Sequence, residues 1–380
     1  MTDDLSLLYK EPFSDAANQL ERLLSQSNRA FLIGAGCSSC AGLPLMSQLT
    51  QEVCNHSNLS SATNKLLVSL VKQFQGSTTA TIEAYMSELV DMLSIAERRS
   101  DCEAASCAIK LNEVDYSAEQ LRDALSEIKC IIAQCIENKR ISLSTHQQFI
   151  QAIHNTLQSG KLIGPSAVDY FTLNYDTLLE DALALERIPY SDGFFGGTTG
   201  WWDQNGFDEK RLAARVFKIH GSIDWCQLED GVILRRVRPN IISNDSLKKA
   251  MIWPAATKYQ EAQRDPYAQM IYKMRLTLRP KEKCDAIFTI CGYSFGDAHI
   301  NIELDRALRD SEKRLTIIAF TSRLEPEGLL KKWFDDEDIC DQVRIYARGG
   351  FYHGNIHEKS KEDLPWWKFE TITRLLRGER

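Results

Sequence analysis

A glycine-rich turn near the amino terminus is the first feature with residues suited to chemistry. The apolar run 31–33 stops at Gly34, and Gly36 and Ser38 follow. This pattern is typical of a buried strand that opens into a helix, where glycines let the backbone approach a pyrophosphate and helix N–H groups face its charge. Ser39 stands where a third glycine is usual, and no acidic residue for a ribose clearly follows about 20 residues later. A nucleotide site and an ordinary strand-to-helix turn therefore both stay open.

Three further strand candidates end in small or polar residues. Asn174, His220 and Gly292 each come directly after an apolar run that is typical of a buried strand. Ligands of open α/β sheets bind beyond the carboxyl ends of the strands, so these ends, with Gly34, predict one binding edge. Each residue also has a structural interpretation, because asparagine often caps a helix and histidine is often a satisfied structural group. For His299, further along, the two interpretations have equal weight.

The strands that must position these residues are interrupted by a long segment of helical pattern. Residues 48–160 carry apolar side chains at helical spacing, with few β-branched runs. We predict an α/β fold with a Rossmann-like parallel sheet, helices on both faces and a large all-helical insertion. The predicted sheet domain comprises residues 1–50 and 161–380, and the insertion comprises 51–160. The apolar helix faces of the insertion favour a role in assembly or gating.

Composition and charge exclude several classes of protein. The chain has 380 residues, of which 43% are hydrophobic and 26% charged, as in ordinary globular proteins. No apolar run approaches the roughly 20 residues that cross a bilayer, and the acidic start lacks the order of a secretory signal. We therefore predict a cytoplasmic protein with no membrane contact. The net charge of −7 argues against nucleic-acid binding as the main activity, although a local basic patch leaves direct contact open.

The eleven cysteines point to reduced thiols rather than to a metal site. Cys37 and Cys40 form the one CxxC pair, and this pair lies inside the glycine-rich turn. A zinc module of the familiar kind needs a second close pair, which the sequence lacks. We expect no zinc and no other metal.

Four motifs in this order resemble the sirtuin superfamily, and its bacterial sirtuin-like NADases more than its protein deacylases. The motifs are Gly34-Ala-Gly-x-Ser38 with Gly42-Leu-Pro44, Thr172-Leu-Asn-Tyr-Asp176 with Leu178 and Glu180, Lys218-Ile-His-Gly-Ser222, and Gly292-Tyr-Ser-Phe-Gly-Asp297 with His299 and Asn301. The resemblance covers residues 30–50 and 165–320. It implies a Rossmann-like domain that takes NAD+ as its substrate.

Carried over motif by motif, the resemblance implies that Asn174 and His220 form the catalytic pair, with Asp176 beside them. An amide can orient the attacking water and a ribose hydroxyl, and an imidazole that titrates near neutrality can act as a general base. Asp176 can stabilise developing positive charge. The resemblance also implies a set of residues that bind NAD+: Gly34, Ala35, Gly36, Ser38, Thr172, Gly221, Ser222, Gly292, Ser294 and Thr321.

Two departures from the deacylase pattern shape the expected activity. Leu45-Met-Ser47 stands where deacylases carry Asp-Phe-Arg, and the paired CxxC zinc module is missing. The resemblance therefore implies an NAD+ glycohydrolase (NAD+ nucleosidase) that releases nicotinamide and ADP-ribose. The alternatives are a protein deacylase, an ADP-ribosyltransferase, and a non-catalytic module that binds NAD+ or ADP-ribose. A nuclease activity within a complex also stays open, although no two-metal carboxylate cluster is visible.

The same resemblance implies partners. Bacterial proteins of this kind act in anti-phage defence by NAD+ depletion, a form of abortive infection, and must be restrained until a partner activates them. The expected partner is a HerA-type ATPase or helicase, or another phage-sensing protein, because the chain has no P-loop of its own. A homo-oligomer is also expected.

Overall fold

A computed structural model of the chain describes all residues except 1–3, 25, 27, 75–79, 103–105, 155–166, 210, 229–230, 237–247, 253–262 and 281–283. The strands in the described part are β1 (Arg29–Ile33), β2 (Ile109–Leu111), β3 (Val114–Tyr116), β4 (Val168–Thr172), β5 (Tyr190–Ser191), β6 (Phe194–Gly196), β7 (Gly200–Trp202), β8 (Ala214–Lys218), β9 (Gly221–Gln227), β10 (Ile233–Arg235), β11 (Lys248–Met251), β12 (Ala286–Cys291), β13 (Leu315–Thr321), β14 (Val343–Ala347), β15 (Gly350–His353) and β16 (Ile356–Lys359). The helices are α1 (Ser14–Leu24), α2 (Gly36–Ser39), α3 (Met46–Cys54), α4 (Ser61–Gln73), α5 (Ile82–Asp101), α6 (Ala118–Glu137), α7 (Ser144–His154), α8 (Leu178–Leu185), α9 (Tyr267–Leu278), α10 (Ala298–Asp310), α11 (Gly328–Phe334) and α12 (Phe369–Leu376).

The main sheet has nine described strands in the order β16-β15-β14-β13-β12-β1-β4-β8-β5. The strands from β14 to β5 pair in parallel, whereas β15 and β16 add an antiparallel edge. The central strands are mostly apolar because both faces of a parallel sheet are covered. In β1, for example, Ala30 and Leu32 face one core while Phe31 and Ile33 face the other.

Helices cover both faces of this sheet. Apolar side chains of α9, α10 and α11 pack in the core that contains Leu32, and those of α1, α7, α8 and α12 pack in the core that contains Phe31. This arrangement confirms the predicted α/β class, with a Rossmann-like parallel sheet and helices on both faces. Among the described residues, no helix is both long and apolar enough to span a bilayer.

Helices α3 to α6 pack around a separate apolar core, and residues 46–137 are called the helical unit below. Helix α6 shows why the segment is helical: Leu121, Leu125, Ile128 and Ile132 recur at helical spacing and are buried. Its amino terminus carries a capping box between Ser117 and Gln120. The helical unit also packs against the second sheet (β11-β9-β10-β7-β6) through Ile223 of β9 and Met251 of β11.

The prediction of an all-helical insertion is wrong in one respect, because β2 and β3 form an antiparallel hairpin within it. The hairpin turns at Asn112 and Glu113, whose φ angles of 47° and 65° are both positive. Such turns usually carry Asn-Gly, so Asn-Glu between two strands of three residues gives little signal in the sequence.

The packing also bears on the predicted limits of the insertion, 51–160. Helix α7 falls inside those limits, yet its residues Phe149 and Ile150 pack in a core of the main sheet. Helix α3, by contrast, begins at Met46 and packs in the helical unit through Leu49. The division into two domains stays a prediction.

Candidate functional site

The four predicted strand ends lie side by side at one edge of the main sheet. Their strands are consecutive in the order β12-β1-β4-β8, and all three pairings are parallel. The register aligns Thr172 with both Ile33 and Lys218, and one residue lies two positions beyond the end of each of β4 and β8. Those two residues are Asn174 and His220. The structure therefore brings the predicted amide and imidazole to the ends of adjacent strands.

Asn174 is only 7% exposed and is held by the glycine-rich turn. Its Nδ2 donates to the carbonyl oxygen of Gly34 at 3.1 Å and to Oγ of Ser38 at 2.8 Å. Ser38 Oγ in turn donates to a carboxylate oxygen of Asp176 at 2.7 Å. The backbone N–H of Asn174 donates to Oγ1 of Thr172 at 3.1 Å. Because a carbonyl oxygen can only accept, Nδ2 must face Gly34, and this contact determines which way the amide points.

The other amide atom of Asn174 has no comparable role in the fold. Its Oδ1 is buried, and no described residue offers it a hydrogen-bond donor. An unsatisfied buried acceptor costs about 1–3 kcal/mol, so such atoms are rare in native structures. With both amide hydrogens engaged by protein, Oδ1 is the atom that can accept a hydrogen bond from a hydroxyl or a water molecule.

His220 follows β8 and is 4% exposed. Its Nε2 lies 3.3 Å from Nε2 of His299, which is 7% exposed and lies in the first turn of α10. This contact joins the third and fourth motifs. The predicted site residues did not include His299, and its sequence signal was its place in the fourth motif, together with Asn301.

The glycines of the first motif allow the loops after β1 and β12 to approach each other closely. Gly34 and Gly36 donate their backbone N–H groups to the carbonyl oxygens of Cys291 and Gly292, each at 2.9 Å. A Cβ atom added at Gly34 would lie 2.4 Å from the Gly292 carbonyl oxygen. Gly292 itself has a φ of 63°, which a residue with a Cβ atom rarely adopts. The loops after β1 and β12 are thus locked together by backbone contacts.

The next two N–H groups of the turn are also engaged. Cys37 donates to the carbonyl of Gly34 at 3.0 Å, and Ser38 donates to that of Ala35 at 3.1 Å. The expectation that free N–H groups of this turn face a pyrophosphate is therefore not met at Gly34, Gly36, Cys37 or Ser38. Ala35 is exposed at the tip of the turn.

The predicted residues after β8 support neighbouring backbone. Ser222 is fully buried, and its Oγ donates to the carbonyl oxygen of Tyr175 at 3.2 Å. Gly221 has a φ of 81°, and a Cβ atom there would lie 2.4 Å from the carbonyl oxygen of Ala250. Ser222 and Gly221 thereby contact the neighbouring segments that contain Tyr175 and Ala250.

The remaining predicted residues lie further along the same edge. Ser294 is exposed in the loop after β12. Thr321 ends β13, the strand beyond β12, and its Oγ1 accepts the N–H of Arg323 at 3.2 Å.

A buried ion pair lies beneath the Asn174 loop. Lys218, 1% exposed, donates through Nζ to the backbone carbonyl of Asp176 and lies 3.2 Å from a carboxylate oxygen of Glu180. Burial raises the pKa of the Glu180 carboxyl to about 7, although Lys218 opposes that rise. Lys218 thus ties the end of β8 to the loop that carries Asn174.

Two cavities of the described structure lie elsewhere. One of 590 Å³ opens between α3 and α6 near Glu52 and Lys139, and one of 470 Å³ opens between α9 and α10 near Arg279 and Arg306. Neither is lined by a residue of the predicted site. The described residues also contain no group of three or more His, Cys, Asp or Glu side chains placed to hold a metal ion.

Comparison with known families gives one sequence match. Residues 168–340 match the family model described as SIR2-like domain. This segment is similar to the SIR2-like domain. It covers less than half of the chain, and it contains Asn174, His220 and His299, whereas the glycine-rich turn at Gly34 lies outside it. No curated protein matches the chain.

Several solved structures of Sir2 proteins resemble the chain over most of its length. A histidine variant of a Sir2 homologue in complex with ADP-ribose has 11% identity over 95% of each chain, with a TM-score of 0.40. A Sir2 homologue in complex with NAD has 12% identity over 95% of this chain and 92% of that one, also with a TM-score of 0.40. A structure described as a basis for the mechanism and regulation of Sir2 enzymes has 13% identity over 82% and 86%, with a TM-score of 0.37. Similarity at this level carries no argument about the activity of this chain.

Proposed function

We propose that this protein is an NAD+ glycohydrolase that cleaves the bond between nicotinamide and ribose, giving nicotinamide and ADP-ribose. The proposal rests on one observation above all: the buried, unpartnered Oδ1 of Asn174 at the carboxyl edge of the sheet. Both amide hydrogens of Asn174 are used to fix that oxygen in place. It is therefore an acceptor held ready for a hydroxyl group of the substrate or for the attacking water.

Hydrolysis of NAD+ suits a site that offers an amide and an imidazole. Nicotinamide leaves as a neutral molecule from a cationic ring, so no acid is needed to protonate the leaving group, and the ribose passes through an oxocarbenium-like state. The C1′–N bond breaks, a water oxygen bonds to C1′, and the water proton passes to a base. We assign that base to His220, and to Asn174 the orientation of water and of a ribose hydroxyl. Asp176, linked to Asn174 through Ser38, supplies negative charge near the developing cation.

The rest of NAD+ is proposed to lie along the same edge. In this arrangement Ala35 and its neighbours contact the pyrophosphate, while Ser294 and Thr321 lie towards the adenosine. Because four N–H groups of the glycine-rich turn are engaged by protein, the pyrophosphate would rely on other donors of this edge. We expect no zinc in this protein.

The similarity of residues 168–340 to the SIR2-like domain favours chemistry at NAD+, and the lack of the paired CxxC zinc module favours hydrolysis over deacylation. By the resemblance of its motifs to bacterial sirtuin-like NADases, we propose that the protein is cytoplasmic, forms a homo-oligomer and depletes NAD+ during anti-phage defence. Its activating partner would be a HerA-type ATPase or another phage-sensing protein.

The direct test is an NAD+ turnover assay on the full-length protein. Wild type and Asn174→Ala are incubated with NAD+, alone and with the purified product of the neighbouring gene, and nicotinamide and ADP-ribose are quantified by chromatography. Asn355→Ala, in the exposed turn between β15 and β16, is the matched control. We expect equimolar nicotinamide and ADP-ribose from wild type and from the control. Turnover by Asn174→Ala should be lower by about 100-fold or more, because an attacking water without its orienting group is misplaced.

Other outcomes would decide for the alternatives. Turnover that requires an acyl-lysine peptide would favour a deacylase, and transfer of radiolabel from NAD+ to protein would favour an ADP-ribosyltransferase. Tight binding of NAD+ without turnover, even in the assembled complex, would favour a non-catalytic binding module. Equal turnover by wild type and Asn174→Ala would contradict the assignment of Asn174.

A further inference from the structure

We propose that His299 is a positioning residue that sets the tautomer and the orientation of the His220 ring. The inference deepens the proposed function, on which its catalytic part depends, and it starts from the 3.3 Å contact between the two Nε2 atoms. Both residues are more than nine-tenths buried, and their ring centroids are 5.4 Å apart. The contact between the two Nε2 atoms therefore lies in the protein interior.

A hydrogen bond between two imidazole nitrogens places a strict condition on protonation. A nitrogen that carries a hydrogen donates, and a nitrogen without one accepts, so one Nε2 of the pair must be protonated and the other must not. A neutral ring with a protonated Nε2 has an unprotonated Nδ1, and the reverse holds for its partner. The pair thus holds one proton between its Nε2 atoms and leaves each ring in a single defined tautomer.

Both ends of this contact are anchored by the fold. The carbonyl of His220 accepts the N–H of Ile252 at 2.8 Å, which fixes the turn between β8 and β9. The first turn of α10, which carries His299, is fixed from the loop before it. There the Tyr293 hydroxyl accepts the N–H of Asp297 at 3.0 Å and donates to Oδ1 of Asn301 at 3.1 Å.

In the proposed hydrolysis, the pairing of His220 with His299 would stabilise the protonated form of His220. When His220 takes the proton of the attacking water at its other nitrogen, it becomes an imidazolium whose Nε2–H donates to Nε2 of His299. A hydrogen bond from a charged donor is stronger than a neutral one, so the partner stabilises the cation that forms. The partner of the base in a catalytic triad orients the ring in the same way. His299 would reach the substrate only through His220.

The first measurement does not depend on turnover of NAD+. Full-length protein labelled with ¹⁵N-histidine is studied by NMR, which distinguishes protonated from unprotonated ring nitrogens. Assignment uses the single variants His220→Gln and His299→Gln. We expect one protonated and one unprotonated Nε2 in the pair, with a scalar coupling between them across the hydrogen bond. Two unprotonated Nε2 atoms, or two protonated ones, would overturn the inference.

The second measurement compares His299→Gln with His299→Phe. Glutamine keeps a hydrogen-bonding group near His220, whereas phenylalanine keeps only the aromatic volume. We expect the phenylalanine variant to lower kcat for NAD+ by about tenfold or more, a part of the roughly 10²–10⁴-fold that a general base provides, with KM little changed. Glutamine should restore most of that loss. His357→Phe, on the exposed edge strand β16, is the control and should behave as wild type.

The two measurements separate the two proposals. If wild type turns over no NAD+ under any condition, the proposed function fails, yet the NMR result still decides whether His299 sets the tautomer of His220. If wild type is active and the phenylalanine variant is folded and equally active, the positioning role fails while the hydrolase stands. If the phenylalanine variant does not fold, the wild-type NMR spectrum and the kcat of the glutamine variant decide.

Discussion

The carboxyl edge of the main sheet and the helical unit bury very different side chains. Among the described residues of the helical unit, Thr63 is the one buried polar side chain, and its hydroxyl donates to Glu127. The edge buries an amide, two imidazoles and an ion pair within a few residues of the strand ends. Burying polar groups costs free energy unless each finds a partner, so a fold does not accumulate them without a reason. Under the proposed function, the buried polar groups of the edge are kept for catalysis at a cost in stability.

The two regions meet beside Asn174. The next residue, Tyr175, packs against the core of the helical unit, and its hydroxyl donates to the carbonyl of Ile252 at 2.5 Å. The carbonyl of Tyr175 accepts both the Ser222 hydroxyl and the N–H of Ile223. A shift of the helical unit would therefore reach the segments on both sides of the site. This contact gives the predicted gating role a physical route, and that role stays a prediction.

The largest effect is expected from breaking the buried ion pair at the edge. Lys218→Met should lower the free energy of unfolding at pH 8 by about 3–5 kcal/mol, because Glu180 is then buried without its partner and must either stay charged or take up a proton that the unfolded chain does not hold. Urea denaturation followed by circular dichroism measures the change. Lys331→Met removes an exposed ion pair with Asp335 and should cost far less. Equal costs for the two variants would remove the distinction between the edge and the surface.

The helical unit should respond to loss of volume rather than of charge. Ile132→Ala, at a fully buried position of α6, should lower the free energy of unfolding by about 2–5 kcal/mol through lost burial and the cavity left behind. Ile302→Ala, at a position of α10 that is 52% exposed, is the matched control and should be nearly neutral. A neutral Ile132→Ala would show that the helical unit has no tightly packed core.

The pH dependence of stability sharpens the comparison further. Burial raises the pKa of Glu180 to about 7, so between its ordinary pKa of about 4.3 and pH 7 the folded chain holds a proton that the unfolded chain has lost. The contribution of Glu180 to stability should therefore fall by about 4 kcal/mol as the pH rises through this interval, and level off above it. The measurement is the free energy of unfolding of wild type minus that of Glu180→Gln at several pH values. A difference that does not change with pH would contradict the raised pKa.

The smallest effect is expected where the two regions touch. Tyr175→Phe removes the hydroxyl that donates to Ile252 and should cost about 1 kcal/mol. Hydrogen exchange should show faster exchange at the described residues of β11, with the helical unit unchanged. Tyr272→Phe, half exposed on α9, serves as the control. Faster exchange throughout the helical unit would show that the two regions are less separate than their cores suggest.

Apolar runs predicted the parallel sheet and the side-by-side position of its strand ends well, because continuous burial on both faces leaves a clear pattern in strands such as β4 and β12. The engagement of the N–H groups of Gly34 and Gly36 could not be predicted, since it depends on the loop after β12, far along the chain. The contact of His299 with His220 was hidden for the same reason. A deletion of residues 51–160 would now be a poor test of the helical unit, because it would remove α7 from the core of the sheet.

The measurement that tests the central claim most directly is an experimental structure of the full-length protein with NAD+ bound, obtained with His220→Ala to prevent turnover. The account predicts that Oδ1 of Asn174 accepts a hydrogen bond, at about 3 Å, from a hydroxyl of the nicotinamide ribose or from a water molecule facing C1′. NAD+ bound away from this edge, or Oδ1 satisfied by another protein group in the complex, would contradict it.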